Sequence, residues 1–244
     1  MNVLCVIPAR YASTRLPGKP LADIAGKPMI QRVYERAAQA TIPTAVLVAT
    51  DHPLVEETVK GFGGRVMMTS ANHPTGTDRL AEVAESYADA DVIINVQGDE
   101  PLIAPDIIDR LAQLFADDET LQMATVITKL DERDAADPNA VKAVTGLKGN
   151  ALYFSRSLIP YPRVAGKAPV YKHIGIYAYR RDFLLSYAKM APTPLEQAES
   201  LEQLRALENG YTIRTIFTDH EFIGIDTKED LERINQLFLE RKLS

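Results

Sequence analysis

Two loops that follow apolar runs contain the residue types best suited to chemistry. The first run, Val3–Pro8, continues into the loop Pro8-Ala9-Arg10-Tyr11-Ala12-Ser13-Thr14-Arg15-Leu16-Pro17-Gly18-Lys19-Pro20. Hydroxyls and backbone amides in such a loop can donate hydrogen bonds to phosphate oxygens, while Arg10, Arg15 and Lys19 neutralise their charge. The loop matches neither the P-loop nor the dinucleotide-binding glycine motif. Its composition suits a polyphosphate, although an exposed basic loop is an equal alternative.

The second loop is acidic and follows a strongly apolar run. It reads Asn95-Val96-Gln97-Gly98-Asp99-Glu100-Pro101. A carboxylate at the end of a strand can hold Mg²⁺, which in turn bridges phosphate oxygens. The alternative is a turn carboxylate that caps the next segment, and these residues alone do not decide between the two.

The elements that must position these loops form an alternating pattern in the first half of the chain. The apolar runs predict strands over Val3–Pro8, Ala45–Thr50, Arg65–Met68, Val92–Gln97 and Met123–Lys129. Between them, amphipathic periodicity predicts helices over Pro28–Ala40, Pro53–Phe62, Thr77–Tyr87 and Pro105–Ala116. This alternation predicts an α/β fold with a Rossmann-like, mostly parallel sheet flanked by helices. Because such sheets bind ligands at the carboxyl ends of their strands, we expect both loops at one edge.

The pattern changes after about residue 130 into an elaborated second half. We expect a hairpin, a strand, a long helix, a further strand and a terminal helix, over Asn139–Thr145 with Ala151–Ser155, His173–Tyr179, Pro194–Asn209, Ile213–Thr218 and Lys228–Lys242. We interpret residues 1–244 as a single domain. Its core is about 1–130, its elaboration about 131–220, and its terminal part 221–244.

Composition limits the function classes. The chain has 244 residues, 46% of them hydrophobic and 25% charged, which is typical of a globular protein. Its 27 basic and 33 acidic residues give a net charge of −6, so we expect no nucleic-acid partner. The single cysteine, Cys5, excludes a disulfide scaffold. We find no signal peptide and no run long enough to span a membrane, so we expect a cytoplasmic protein.

Taken with later motifs, these loops give the chain a close resemblance to a known family along essentially its whole length. The sequence resembles the cytidylyltransferases that activate 3-deoxy-manno-octulosonate (Kdo), which belong to the sugar nucleotidyltransferase superfamily. The matching segments, besides the two loops, are Gly26-Lys27-Pro28-Met29-Ile30, Ala49-Thr50-Asp51, Gly76-Thr77-Asp78-Arg79-Leu80, Ala151-Leu152-Tyr153-Phe154-Ser155-Arg156, His173-Ile174-Gly175-Ile176-Tyr177, Leu201-Glu202-Gln203-Leu204-Arg205 and Asp226-Thr227-Lys228-Glu229-Asp230-Leu231.

The resemblance implies a reaction as well as a fold. It implies the nucleotide-diphospho-sugar transferase fold and transfer of CMP from CTP to the anomeric hydroxyl of Kdo. The products would be CMP-Kdo and pyrophosphate, for lipopolysaccharide biosynthesis. It also implies Mg²⁺ as cofactor and a homodimer. Close variants of this function use the 8-amino analogue of Kdo or another acidic nonulosonate-type sugar.

Residue roles also follow from the resemblance. It implies that Asp99 and Asp226 hold the metal and that Lys19 acts with them in catalysis. The implied CTP-binding residues are Arg10, Ser13, Arg15, Lys19, Thr77 and Arg79. The implied sugar-binding residues are Gln97, Arg156, His173, Tyr177, Glu202 and Gln203.

Several of these residues have structural alternatives. Without the resemblance, Asp226, which follows the strand-like run Phe222–Ile225, would be interpreted as the cap of the terminal helix. Thr77 could simply lie at a helix start, and His173 could be structural. Arg156 could be a dimer contact. Glu202 and Gln203 could belong to a solvated helix face.

Three other functions remain open from the sequence. The chain could be a sugar nucleotidyltransferase for a different sugar. It could be a glycosyltransferase that uses Asp89-Ala90-Asp91 as a metal motif, although that motif precedes its strand and so lies away from the ligand edge. It could also be a regulator that binds a nucleotide without turnover, but such a protein would have little need of both Asp99 and Asp226.

Overall fold

The computed structural model describes residues 1–13, 16–164 and 166–241. The strands are β1 (Val3–Ala9), β2 (Asp23–Ile24), β3 (Lys27–Pro28), β4 (Ala45–Thr50), β5 (Val66–Met68), β6 (Val92–Asn95), β7 (Met123–Lys129), β8 (Lys142–Thr145), β9 (Ala151–Ser155), β10 (Tyr171–Arg180) and β11 (Ile213–Phe217). The helices are α1 (Met29–Ala37), α2 (Pro53–Gly61), α3 (Gly76–Ser86), α4 (Pro105–Asp117), α5 (Arg181–Tyr187), α6 (Pro194–Glu199), α7 (Gln203–Glu208) and α8 (Lys228–Arg241), with short 3-10 helices at Lys19–Leu21 and Glu132–Asp134. Within this described part, no helix is long and apolar enough to cross a lipid bilayer.

The main sheet is mixed and mostly parallel, as the sequence predicts. Its strand order is β11-β7-β10-β6-β1-β4-β5. Strands β1, β4, β5 and β6 run parallel, whereas β10 runs antiparallel to both of its neighbours, β6 and β7. The predicted hairpin is β8–β9, which pairs with the outer end of β10. The carboxyl ends of β1, β4 and β6 therefore meet at one edge, beside the beginning of β10.

Alternation along the central strands explains why both faces of the sheet are covered. In β1, Val3, Cys5 and Ile7 pack in the core with α1, α2 and α4, while Leu4 and Val6 pack with α3, α5 and α7. Successive strand residues point to opposite faces, so a strand buried on both sides must be apolar throughout. Cys5 is a buried free thiol in this strand, and burial raises the pKa of its thiol to about 12.

The structure corrects two predicted elements. The long helix over Pro194–Asn209 is in fact the two short helices α6 and α7, because Ser200 adopts a left-handed backbone conformation with φ 51°. The strand-like run Phe222–Ile225 does not form a strand. Its isoleucines, Ile223 and Ile225, are buried in a third core cluster with α8 rather than in the sheet.

Candidate active site

A cleft of about 440 Å³ lies between the two loops identified from the sequence. The loops are adjacent because β1 and β6 pair in register, with Val6 opposite Asn95. We call this space the charged cleft. Its lining residues are Pro8, Ala9, Arg10, Ala12, Ser13, Lys19, Pro20, Gly76, Gln97, Gly98, Asp99 and Asp226.

Gly98 allows the two loops to approach at the level of the backbone. A β-carbon at this position would lie 2.8 Å from the carbonyl oxygen of Pro8, which is closer than real β-carbons approach other atoms. Any other residue would therefore push the loop containing Asp99 away from the loop containing Arg10. Glycine at this position is a requirement of the site's geometry.

The centre of the charged cleft is an ion triad formed by residues far apart in the chain. The Lys19 ammonium donates to Asp99 at 2.5 Å and to Asp226 at 3.0 Å. Burial of Lys19 would lower its pKa, but the two carboxylates outweigh that effect and raise the pKa above its ordinary value. Lys19 is therefore a fixed positive charge between two carboxylates.

Asp226 reaches this triad from an irregular segment rather than from a strand end. The amide of Ile225 donates to the carbonyl of Asp99, which holds the two segments together. The start of α8 has its own cap, because Thr227 and Asp230 exchange side-chain and backbone hydrogen bonds as a capping box. The carboxylate of Asp226 is thus directed to Lys19, and capping does not account for its position.

Glu100 follows Asp99 in the chain but does not line the charged cleft, and sequence reasoning gives it no role. Its Oε2 atom is buried and has no hydrogen-bond partner within the described part of the chain. Burial, and then the charge of Asp99, raises the pKa of Glu100 to about 8. Its place next to Asp99 is the only sequence signal that could have identified it.

The donor set suits a magnesium ion that is completed by phosphate. Asp99 and Asp226 supply carboxylate oxygens, and within the described residues no cluster of three or more His, Cys, Asp or Glu side chains forms a metal site. Mg²⁺ is commonly bound by one or two carboxylates, with phosphate oxygens and water completing its shell. Nearby, the buried Nη2 of Arg10 has no hydrogen-bond partner among the residues that the structure describes, and an anionic ligand would supply one.

The other predicted CTP-binding residues fall in different places. Ser13 lines the charged cleft, and its hydroxyl accepts a hydrogen bond from the Leu16 amide. Arg15 lies outside the described residues. Thr77 lies deeper, in a second cavity, as the second residue of α3, whose start is capped by Thr75 and Asp78.

Arg79 requires a correction. Its side chain is fully buried and does not line the charged cleft. Its guanidinium forms an ion pair with Asp51 at 2.9 Å and donates to the hydroxyl of Thr69. Direct contact with CTP does not fit this position, because Arg79 has no surface exposed toward the cleft.

The second cavity, of about 180 Å³, adjoins the charged cleft. We call it the inner cavity; its lining residues are Gly76, Thr77, Asn95, Gln97, Met123, Tyr177, Tyr179, Tyr187, Glu202 and Gln203. Three buried polar atoms there have no hydrogen-bond partner among the described residues: Asn95 Oδ1, Glu202 Oε1 and Gln203 Nε2. Since buried polar atoms are normally paired, this cavity suits a ligand rich in hydroxyl groups.

The break between α6 and α7 turns two of these side chains inward. Arg205 on α7 pairs with Glu196 on α6 through two bonds of 2.8 and 2.5 Å, and the Tyr187 hydroxyl donates to the carbonyl of Glu202. Burial raises the pKa of Glu202, and hydrogen bonding from Thr77 partly offsets it. Glu202 and the buried Gln203 line the inner cavity, so the solvated-face alternative is wrong.

Tyr177 also lines the inner cavity, whereas two other predicted sugar-binding residues do not. Arg156 donates to the carbonyls of Pro138, Glu199 and Ser200 and borders a separate surface depression. Its guanidinium holds backbone segments together, which contradicts direct placement in this cavity.

His173 lies behind Tyr177 rather than in the inner cavity. Its Nε2 is 2.9 Å from the hydroxyl of Thr125, and its ring packs edge-on against Phe154. Burial lowers the pKa of His173 to about 3, so its imidazole is neutral. The structural alternative for His173 fits these contacts, since its ring also packs against Tyr177 with centroids 5.3 Å apart.

The Asp89-Ala90-Asp91 motif lies at the opposite edge of the sheet. The carboxylate of Asp91 accepts from the amide of Asn2, and Asp89 accepts from the Asn2 side chain. Both residues precede β6, so neither can reach the charged cleft. The geometry does not support their use as a glycosyltransferase metal motif.

Comparison with known sequences supports the resemblance. The profile of a family described as Cytidylyltransferase matches residues 4–216. A 3-deoxy-manno-octulosonate cytidylyltransferase from Geobacter sulfurreducens is 54% identical over 246 aligned positions, covering 96% of this chain and 98% of that protein. A protein of the same name from Acaryochloris marina is 49% identical, and the alignment covers all of this chain and all of that protein.

Solved structures agree with the fold. CMP:2-keto-3-deoxy-manno-octonic acid synthetase complexed with CTP superposes with a TM-score of 0.95 at 50% identity, covering 99% of this chain and all of that one. A cytidylyltransferase from Leptospira borgpetersenii superposes with a TM-score of 0.67 at 21% identity, covering 98% of this chain and 87% of that one, and this likeness concerns the fold alone.

Proposed function

The chain belongs to the cytidylyltransferase family, and we propose that it transfers CMP from CTP to the anomeric hydroxyl of Kdo. The observation that carries the proposal is the junction of two unlike spaces. A charged cleft with the triad of Lys19, Asp99 and Asp226 opens onto an inner cavity with unpartnered polar atoms, and Gly76 and Gln97 line both. One space suits a nucleotide triphosphate and the other suits a sugar.

The reaction is an in-line exchange at the α-phosphorus. The anomeric oxygen of the sugar forms a bond to this phosphorus while the bond to the oxygen bridging the α- and β-phosphates breaks. Pyrophosphate leaves with that electron pair, and the hydroxyl proton is given up to solvent. Little covalent chemistry falls to the protein in such a step, so positioning and charge stabilisation dominate. Arg10 and Lys19 supply positive charge where the phosphates and the leaving pyrophosphate would lie.

We propose Asp99 and Asp226 as the protein ligands of Mg²⁺. When bound, the ion neutralises phosphate charge and polarises the reacting phosphoryl group. Lys19 holds both carboxylates in place by its two hydrogen bonds, so the ligand pair is organised before the nucleotide arrives.

The sugar would occupy the inner cavity with its anomeric end at the junction. The unpartnered oxygens of Asn95 and Glu202 can accept from its hydroxyls, and the amide of Gln203 can donate. No residue that lines the inner cavity within the described chain is basic. The sugar carboxylate would therefore face the cleft, where Arg10 and Lys19 provide the cations.

The test is a matrix of nucleotides and sugars. The protein is incubated with Mg²⁺, each of the four nucleoside triphosphates, and Kdo, its 8-amino analogue or another acidic nonulosonate, and pyrophosphate release is measured. We expect release with CTP and Kdo, and product analysis should identify CMP-Kdo. A folded sample that releases no pyrophosphate with CTP and any of these sugars contradicts the proposal. Higher turnover with the 8-amino analogue would assign the chain to that variant instead.

We also propose that the protein is a cytoplasmic homodimer. The buried, unpaired thiol of Cys5 is compatible with a reducing compartment. Several large apolar side chains of the second half are exposed, among them Leu147, Leu152 and Tyr161, which suggests that this half forms the dimer contact.

A further inference from the structure

Thr50, Asp51 and His52 are three consecutive residues at the end of β4. The first two lie on either side of the backbone of Arg10. The hydroxyl of Thr50 donates to the carbonyl of Ala9 at 2.7 Å. On the other side of Arg10, the carboxylate of Asp51 accepts from the amide of Tyr11 at 3.2 Å. Arg10 is thus held through both of its chain neighbours, although neither Thr50 nor Asp51 is among the residues that line the charged cleft.

The third residue, His52, extends this contact toward Lys19. Its ring stacks on the ring of Tyr11 with centroids 3.8 Å apart and an interplanar angle of 14°. The Tyr11 ring also neighbours Gly18, where an added β-carbon would lie 3.6 Å from it. Gly18 has a φ of 67° and immediately precedes Lys19, so the Tyr11 ring supports the turn that presents the ammonium.

Asp51 is itself held in place by an ion pair with Arg79. The guanidinium of Arg79 is completely buried, pairs with Asp51 at 2.9 Å and donates to Thr69, the residue that follows β5. A buried ion pair of this kind specifies one arrangement of its partners, because displacing either group leaves the other charge uncompensated. The position of Asp51 is therefore determined by the α3 and β5 sides of the fold.

We propose that Thr50, Asp51 and His52 form a clamp, the β4 clamp, that sets the positions of Arg10 and Lys19 for the triphosphate. Arg79 is the anchor of this clamp. The inference rests on the proposed function, because it concerns the nucleotide half of the same site. All four are positioning residues, since they act through Arg10 and Lys19.

Two substitutions remove clamp contacts without leaving a buried charge unpaired. Thr50→Val keeps the shape of the side chain and removes its hydroxyl, and Thr50→Ser is its conservative partner. His52→Asn removes the ring stacked on Tyr11. It keeps a side-chain acceptor for the Leu54 amide, which His52 caps at the start of α2. A matched control is Thr58→Val, because the Thr58 hydroxyl also donates to a carbonyl, that of Leu54, but on an outer helix.

The measurements are CTP affinity by calorimetry with Mg²⁺, and KM and kcat for each substrate. We expect Thr50→Val and His52→Asn each to weaken CTP binding and to raise the KM for CTP about tenfold, because small displacements of phosphate-binding groups are costly. The KM for the sugar should stay within about twofold. A general loss of folding would lower the amount of active protein and would not raise the KM for CTP alone. Thr50→Ser and Thr58→Val should behave like the unmodified protein.

Two outcomes would contradict the proposal of a β4 clamp. One is unchanged CTP affinity in folded Thr50→Val and His52→Asn proteins. The other is an equal rise in the KM of both substrates that Thr50→Ser does not reverse. An unmodified protein that binds CTP but forms no CMP-sugar would contradict the proposed function instead. The CTP affinities from calorimetry would still test whether the β4 clamp positions Arg10 and Lys19.

Discussion

At the scale of single residues, the site is defined by which polar groups have hydrogen-bond partners. Lys19 has two carboxylate partners, whereas Arg10 Nη2, Glu202 Oε1 and Gln203 Nε2 have none among the described residues. Unpaired buried groups are costly to a fold. A ligand in these two adjoining spaces would supply the missing partners.

Asp99→Asn should reduce turnover on the order of 10³-fold while leaving the fold intact. The substitution removes a negative charge from the proposed metal site but preserves side-chain shape, and Asp226 still contacts Lys19. Steady-state kinetics and a thermal melt measure the two effects. Asp182→Asn is the matched control, since that carboxylate is 89% exposed. Near-normal turnover of Asp99→Asn would remove Asp99 from the metal role.

The buried imidazole of His173 should make stability depend on pH. Because burial lowers its pKa to about 3 in the fold, only the unfolded chain takes up a proton near pH 6.5. Its contribution is therefore present above that pH and is lost as the pH falls, by about 2 kcal/mol between pH 7 and pH 5.

Urea unfolding of the unmodified protein and of His173→Gln at both pH values measures this contribution. We expect a smaller pH dependence in the variant, whose amide can still bond the Thr125 hydroxyl. An identical pH dependence in the two proteins would contradict the prediction.

At the scale of elements, the site depends on where strands end and helices break. The β1 and β6 loops meet because parallel neighbours end at one edge, and the α6–α7 break orients Glu202 and Gln203. The charged cleft and the inner cavity therefore depend on different element boundaries.

Gly98→Ala should lower kcat about tenfold or more, since the added methyl must displace the carbonyl of Pro8 and with it the loop containing Arg10. It should also cost about 1–3 kcal/mol of stability from overpacking. Kinetics and urea unfolding measure both. Gly61→Ala is the control, because a β-carbon there meets nothing within 4 Å. If both variants behave alike, close approach at Gly98 is not required.

Gln203→Ala should raise the KM for the sugar about tenfold and leave the KM for CTP unchanged, because it deletes a donor only from the inner cavity. Initial-rate kinetics with each substrate varied in turn tests this. Gln197→Ala is the control, since the Gln197 amide faces outward and donates to the Pro192 carbonyl. Equal effects on both substrates would contradict a sugar-side role.

Much of this arrangement is predictable from sequence, and the exceptions have physical causes. Hydrophobic runs predict the strands of the main sheet, and the loops after Pro8 and Asn95 predict the charged cleft. The break at Ser200 is not predictable, because neither glycine nor proline marks it and apolar spacing continues across it. The burial of Arg79 is not predictable either, since it depends on Asp51, a partner 28 residues away.

At the scale of the whole molecule, the antiparallel strand β10 joins the charged cleft and the inner cavity. It lies between β6 and β7, and its Tyr177 and Tyr179 line the inner cavity beside the end of β6. Gln97, at the junction, donates to the carbonyl of Gly175 where the register of β10 shifts. The charged cleft and the inner cavity therefore share one sheet edge.

Sedimentation equilibrium should give twice the mass of the chain. Leu152→Glu should shift the protein toward monomer, because that exposed side chain lies on the proposed contact half. Leu239→Glu on α8 is the control, since Leu239 is also exposed but lies on the terminal helix. A monomeric unmodified protein at micromolar concentration would refute the dimer.

The long sequence separation within the ion triad also bears on protein synthesis. Asp226 lies 207 residues after Lys19 and follows almost all of the sheet in chain order. A nascent chain that has already formed β1 through β11 still lacks the second carboxylate. The ability to split CTP should thus begin only when the segment before α8 has emerged and docked. During refolding, the rate at which turnover recovers would then report the docking of that last segment. It would not report the earlier formation of the sheet.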